Sequence, residues 1–296
     1  MGTSPIYTWQ FAVRTYELDA QRVVKLTTYL NYMEEAATQA SASLGFDYAW
    51  YMSHRRLWVA RKHTIRFYTP AVYPDELRAR TWISDLRRVQ SHREYRVTRL
   101  SDDAPIFSAR TNWVFINAET SRPERVPEDI ARFFHENGTA DGATQLEDLD
   151  TTLRHPISVE NPFVFSESRR VEQHEIDPAE HVNNAVYVTW AEEAIRNLMR
   201  AAGWTEERVA ELNVSMHPHA HEIEYFRSAQ YDEPIQVSTR LAAIGQDRAA
   251  WQTEIRHAST GELLAQDVAV RRFSDPHGPR SIPDHLLMAL RREPHP

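Results

Sequence analysis

The chain contains no cysteine. Disulfides, thiolate nucleophiles and cysteine-based metal sites are therefore excluded at the outset. No stretch approaches the roughly eighteen consecutive apolar residues that a membrane-spanning helix needs. The opening Met-Gly-Thr-Ser-Pro-Ile-Tyr has neither the basic start nor the apolar core of a secretory signal. Ile6 stands where an N-myristoylation pattern requires Ser or Thr. A cytoplasmic protein is the expectation these absences leave. Excess positive charge is missing too: the formal net charge is −8. Residues 1–150 carry 19 basic and 20 acidic side chains, against 15 and 22 in the remainder. An acidic second half argues against nucleic acid as a partner.

What is present is an apolar fraction of 42% over 296 residues, enough for one large core or two ordinary ones. Residues 9–19 alternate like a strand, and 28–44 read as a helix that ends at Gly45. Strand-like segments follow at His63–Tyr68, Glu76–Leu86, Arg93–Leu100 and Ile106–Ile116, with Asp102-Asp103 as a hairpin turn. Val126-Pro127-Glu128-Asp129 starts a short helix. The polar, acidic stretch Glu136–Thr152 reads as a linker.

After the linker the pattern returns, displaced by 158 residues. Val13, Glu17, Asp19, Val24 and Tyr29 match Val171, Glu175, Asp177, Val182 and Tyr187. Glu34-Glu35-Ala36 matches Glu192-Glu193-Ala194, and His63, Ile65 and Tyr73 match His221, Ile223 and Tyr231. The offset is expected to slip by one or two residues later, aligning Val126-Pro127 with Ile282-Pro283. This is a duplicated α+β domain: a strand, a long helix, then an antiparallel meander. Its parts are placed at residues 1–137, a linker at 138–160, and 161–296. Residues shared by both copies serve the fold. Residues in one copy only are candidates for chemistry.

That filter singles out residues 174–193. Asp177-Pro178 ends a strand, since Pro has no N–H for a ladder. His181, Asn183 and Asn184 then lead into a helix whose apolar face runs through Val186, Tyr187, Trp190, Ala194, Leu198 and Met199. A carboxylate, an imidazole and two amides thus gather at a helix N-terminus, where unpaired N–H groups favour developing negative charge. The first copy has Val23, Lys25 and Leu26 in place of His181, Asn183 and Asn184. Asp177 recurs as Asp19, so a plain turn role stays open for it. Asn183 is equally a helix cap.

Asp177-Pro-Ala-Glu-His-Val-Asn-Asn-Ala-Val-Tyr-Val-Thr-Trp-Ala-Glu-Glu resembles the signature of hotdog-fold thioesterases. The tandem layout, with Tyr16-Glu-Leu-Asp and Leu30-Asn-Tyr-Met-Glu-Glu-Ala in the first copy, resembles the acyl-ACP thioesterases of plants and bacteria. The resemblance covers roughly residues 8 to 275. It implies a double hotdog: two antiparallel sheets, each wrapping a long central helix and joined into one continuous sheet. It also implies hydrolysis of a fatty-acyl thioester with no metal and no organic cofactor. The plant enzymes have an Asp-x-Asn-x-His motif; here Asp177 and His181 match, and Ala179 replaces the middle Asn. Their Glu-Cys pair on a later strand falls on Ser228 and Ala229. Asp177-Pro-Ala also resembles the 4-hydroxybenzoyl-CoA thioesterase group, in which the Asp does the central work.

The expected site therefore has Asp177 and His181 as catalytic residues. Asn183, Asn184 and Tyr187 contact substrate. Helix N–H groups take the oxyanion, and Asp177 either activates water or attacks the carbonyl itself. Arg55, Arg56, Arg61 and Lys62, part of a run with Arg66 and no intervening acid, are candidate docking residues for acidic acyl-carrier protein, or otherwise a solvated face. Trp50, Tyr187 and Trp190 line an acyl tunnel or serve as plain core. His217, His219 and His221 alternate, a pattern that can bind zinc, although His63 shares the last position and Pro218 points to a loop. Glu193, whose twin is Glu35, reads as structural. Two other readings stay open: an acyl-thioester hydratase or dehydratase, and a non-catalytic acyl-thioester binding module. Since one chain imitates a hotdog dimer, further association into a homodimer is a candidate arrangement.

Overall fold

The computed structural model describes residues 6–137, 142–153 and 156–291. The chain forms two compact units, 1–146 and 147–296. The division falls inside the stretch read as the linker.

The first unit runs β1 (Tyr7–Ala12), α1 (Leu26–Ala42), α2 (Tyr48–His54), β2 (Arg56–Phe67), β3 (Glu76–Leu86), β4 (Gln90–Arg99), β5 (Pro105–Asn117) and α3 (Glu128–Asn137). Its strands are antiparallel neighbours in the order β1-β3-β4-β5-β2. Helix α1 packs on β1 and β3. It buries Leu26, Tyr29, Leu30, Tyr32, Met33, Ala36 and Ala40, the spacing of one helical face.

The second unit has α4 (Leu149–Leu153), β6 (Ile157–Ser158), β7 (Val164–Arg170), α5 (Asn184–Ala201) and α6 (Glu206–Glu211). It continues with β8 (Ser215–Tyr225), β9 (Pro234–Ile244), β10 (Arg248–His257), β11 (Leu263–Asp275), β12 (Gly278–Pro279) and α7 (Asp284–Ala289). The sheet runs β8-β11-β10-β9, with β6 and β7 both pairing with β9 and β12 extending β11 as a short hairpin. Helix α5 packs across β7, β9, β10 and β11.

The duplication extends further than the sequence reading. Strands β3, β4 and β5 recur as β9, β10 and β11 with both ends displaced by the same 158 residues. The offset changes only after β5 and β11, where Val126 and Ile282 are both buried. Two other expectations are corrected. The strand before Asp177 ends at Arg170, and a 3-10 turn, Gln173–Glu175, leads from it to the aspartate. Pro218 lies within β8, at a bulge opposite Val270 and Arg271. A bulge tolerates the missing N–H.

Described residues of the linker stretch are pinned to the sheets. Glu94, fully buried on β4, accepts from Arg110 Nε at 2.6 Å, Ser84 Oγ at 2.6 Å and Thr144 N at 3.2 Å. That ties residues 142–146 to the first sheet. On the second sheet the buried Arg248 guanidinium donates to Thr152 O at the end of α4.

Candidate active site

Asp177 sits in a tight turn that both copies build in the same way. Its N–H donates to His181 O at 2.8 Å, and its carbonyl accepts from Glu180 N at 3.0 Å. In the first copy Asp19 does the same with Val23 O at 2.8 Å and Arg22 N at 3.0 Å. The carboxylate Oδ1 accepts from Ala179 N at 2.8 Å, as Asp19 Oδ1 accepts from Gln21 N at 2.9 Å. Glu180 and Arg22 both have a φ of 63°. One carboxylate oxygen of each aspartate is therefore committed to an Asx-turn. Asp177 and His181 are brought together, and the bond that joins them is a backbone bond. Both side chains are half-buried.

Helix α5 begins three residues beyond His181. Asn183 is its N-cap, with Oδ1 accepting from Ala185 N at 2.9 Å. Its carbonyl accepts from Val186 N at 3.0 Å. Two of the first-turn N–H groups expected to face an oxyanion are thus already bonded. The matching helix α1 has Lys25 at its N-cap and no side-chain cap bond. Asn184 is half-buried on the first turn, and its carbonyl accepts from Tyr225 Oη at 2.9 Å.

Tyr187 is placed in the interior. It is buried, and its hydroxyl accepts from Ala229 N at 2.6 Å. Tyr29 accepts from Ala71 N at 3.1 Å in the first copy. Burial pushes the phenol of Tyr29 up to about 12, and that of Tyr187 upward as well. The duplicated tie gives Tyr187 a role in the fold that needs no substrate. Trp190 is also buried, its Nε1 donating to Glu175 Oε1 at 2.8 Å, as Tyr32 Oη donates to Glu17 Oε2 at 2.7 Å. Trp50 stacks on His54 at 4.1 Å in α2.

Sequence reasoning missed a buried charged group between α5 and its sheet. Arg271 Nη2 donates to Glu192 Oε2, and His221 Nε2 lies 2.6 Å from Asp267 Oδ2. All four residues are buried. Burial alone lowers an imidazole's pKa, but the close Asp267 carboxylate and the nearby Glu192 together outweigh it and hold His221 above its ordinary range. Burial raises the Glu192 carboxyl, and Arg271 and His221 together reverse this and leave it below its usual range. Glu34 and His63 occupy the matching places in the first copy, but Ala109 and Trp113 stand where Asp267 and Arg271 do. A search for polar residues private to one copy, carried along β11, would have found the pair. Glu193 is exposed and lies 3.5 Å from Arg196, away from this group. His217 is exposed while His221 is fully buried, so the three alternating imidazoles do not share one environment.

Comparison with known proteins fits this doubled architecture. Residues 5–134 match the family model of the acyl-ACP thioesterase N-terminal domain, and residues 171–290 match that of the thioesterase-like superfamily. The first half is thus similar to the acyl-ACP thioesterase N-terminal domain and the second half to the thioesterase-like superfamily. An oleoyl-acyl carrier protein thioesterase of Arabidopsis thaliana is 24% identical over 200 residues, 64% of this chain and 54% of that one. The Coriandrum sativum oleoyl-acyl carrier protein thioesterase is 25% identical over 200 residues, 64% and 53% of the two chains. The chain thus spans about half the length of these relatives. The 12:0-ACP thioesterase of Umbellularia californica shares the fold with a TM-score of 0.68 at 19% identity, covering 91% of this chain and 94% of its own. An acyl-ACP thioesterase of Bacteroides thetaiotaomicron does so with 0.68 at 17%, covering 90% and 98%. The fold is the tandem hotdog.

In the second unit Ala229 is a buried structural residue: its carbonyl accepts from Val182 N at 3.0 Å and its N–H holds Tyr187. Ser228 is exposed. The basic run is less free than its sequence suggests. Arg55 pairs with Glu119 and Arg56 with Glu124, acids brought in by the segment after β5. Arg61 and Lys62 are half-buried on β2, and Arg66 is buried, donating to Ile65 O at 3.0 Å. Among the described residues no helix is long and apolar enough to cross a membrane.

Proposed function

We propose that this protein hydrolyses fatty-acyl thioesters to free fatty acid and carrier thiol, with acyl-ACP preferred over acyl-CoA. The observation that carries the reading is an asymmetry. Both copies build the same aspartate turn, but His181, the Asn183 cap and Asn184 surround only the second. The similarity of the first half to the acyl-ACP thioesterase N-terminal domain supports the carrier preference.

In this reading the thioester carbonyl reaches the start of α5. The Asn183 side chain yields the Ala185 N–H to the carbonyl oxygen and turns its amide to the carrier arm. Asp177 takes a proton from water through the carboxylate oxygen not engaged by the turn, and His181 orders that water. Hydroxide adds to the carbonyl carbon, and the Ala185 N–H stabilises the resulting oxyanion. The C–S bond then breaks, and the thiolate leaves with the proton held by Asp177.

The test is thiol release from matched acyl-ACP and acyl-CoA series of increasing chain length. Release with higher kcat/KM on acyl-ACP is expected. Water addition to an enoyl thioester without thiol release would make the protein a hydratase. Tight acyl-thioester binding with neither reaction would make it a binding module.

A further inference from the structure

Bonds between described residues hold the start of α5 to the end of β8 and the loop after it. Val182 N donates to Ala229 O at 3.0 Å, Ala229 N donates to Tyr187 Oη at 2.6 Å, and Tyr225 Oη donates to Asn184 O at 2.9 Å. The first two have counterparts in the first copy: Val24 N to Ala71 O at 2.9 Å and Ala71 N to Tyr29 Oη at 3.1 Å. The third does not. Residue 67, in the place of Tyr225, is a buried phenylalanine with no hydroxyl to donate. The first two ties are thus shared by both copies, and the Tyr225 tie belongs to the second.

The chemistry of that extra tie is specific. The Asn184 carbonyl and the Ala185 N–H belong to one peptide unit. A donor on the carbonyl draws electron density from the amide and strengthens its N–H as a donor, as in any chain of hydrogen bonds. That N–H is the one bonded to Asn183 Oδ1 at 2.9 Å. Tyr225, the 184–185 peptide and Asn183 thus form one hydrogen-bond chain, and both of its side chains are private to the second copy. Tyr225 is half-buried and edge-on to Tyr187, with ring centroids 5.4 Å apart, which fixes its ring.

We infer that Tyr225 is a positioning residue of the thioesterase site, acting through the 184–185 peptide to fix and polarise the Ala185 N–H that receives the developing oxyanion. The inference rests on the proposed hydrolysis. It adds a residue that the motif at 177–184 does not contain.

Tyr225→Phe tests it, because the first copy already accepts phenylalanine at the matching place and the ring contacts are kept. Three quantities are measured on the full chain beside Tyr29→Phe, which removes a tie of the first copy. Loss of one hydrogen bond from a transition state is expected to lower kcat by roughly five- to tenfold with KM changed less than about twofold. Amide exchange in peptides covering the first turn of α5 should rise by a similar factor, and that at the start of α1 should not. Tyr29→Phe should lower the unfolding midpoint while kcat stays at the wild-type value. Unchanged kcat in a folded Tyr225→Phe would overturn the inference, as would unchanged exchange at the start of α5. Absence of thiol release by the wild type would instead defeat the hydrolase reading and with it any catalytic role of Tyr225, and exchange would then decide the clamp alone.

Discussion

A buried carboxylate in this chain is costly unless its partner is in place, and Glu192 shows how local that condition is. The residue lies on the sheet-facing side of α5 with Arg271 as its ion-pair partner and His221 and Asp267 beside it. Removing one member of a buried pair leaves the other uncompensated, which costs about 3–5 kcal/mol. Glu192→Leu alone is therefore expected to destabilise the chain by about that amount in urea unfolding, and Glu192→Leu with Arg271→Leu to recover most of it, because apolar replacements of both members are close to neutral. A double variant as unstable as the single one would show that His221 and Asp267 depend on the pair. The sequence made Glu192 visible only as one half of a duplicated Glu-Glu. Its partner lies 79 residues away on another strand, and no local pattern joins them.

At the scale of elements, the two long helices differ mainly at their first residues. Helix α5 is capped by the Asn183 side chain, whereas the N-cap of α1 is Lys25, whose side chain makes no cap bond and donates instead to Tyr16 O at 3.0 Å in an exposed position. A lost Asn cap costs about 1 kcal/mol, and a surface substitution without such a role stays within about 0.5 kcal/mol. Asn183→Ala is thus expected to lower unfolding free energy measurably, and Lys25→Ala not to. Equal effects would mean that the cap bond contributes nothing. Element positions were largely legible in the sequence. The helix at 28–44 is observed at Leu26–Ala42, and β3 has the expected bounds. The misses have local causes. Alternation in residues 9–19 continued across a 3-10 turn, Thr15–Glu17, because Glu17 is buried where a strand would bury an apolar residue. Pro218 suggested a loop, but a bulge absorbed it.

For the whole molecule, the repeat is the strongest signal and also an internal control. It made the tandem α+β fold readable, because turns, helices and strands recur at one spacing. It made the site only partly readable. Asp177, His181, Asn183 and Asn184 do assemble at one helix start. Yet the repeat also shows that Asp19 holds the same turn, and that Tyr187 serves a tie found in both copies. Tyr225 escaped notice because its meaning depends on a contact with a backbone carbonyl, which side-chain motifs do not encode. The linker's anchoring by Glu94 and Arg248 was hidden for the same reason: both bond to main-chain atoms of the linker.

The central claim is that chemistry resides at the second aspartate turn and only structure at the first. The direct test is the rate of thiol release by Asp177→Asn and Asp19→Asn beside the wild type. Asparagine retains the side-chain oxygen that each turn uses, so both variants keep the fold. General-base catalysis contributes about 10²–10⁴-fold, and a loss of that order is expected for Asp177→Asn with Asp19→Asn near the wild-type rate. Full turnover by a folded Asp177→Asn, or equal losses in the two variants, would contradict the account.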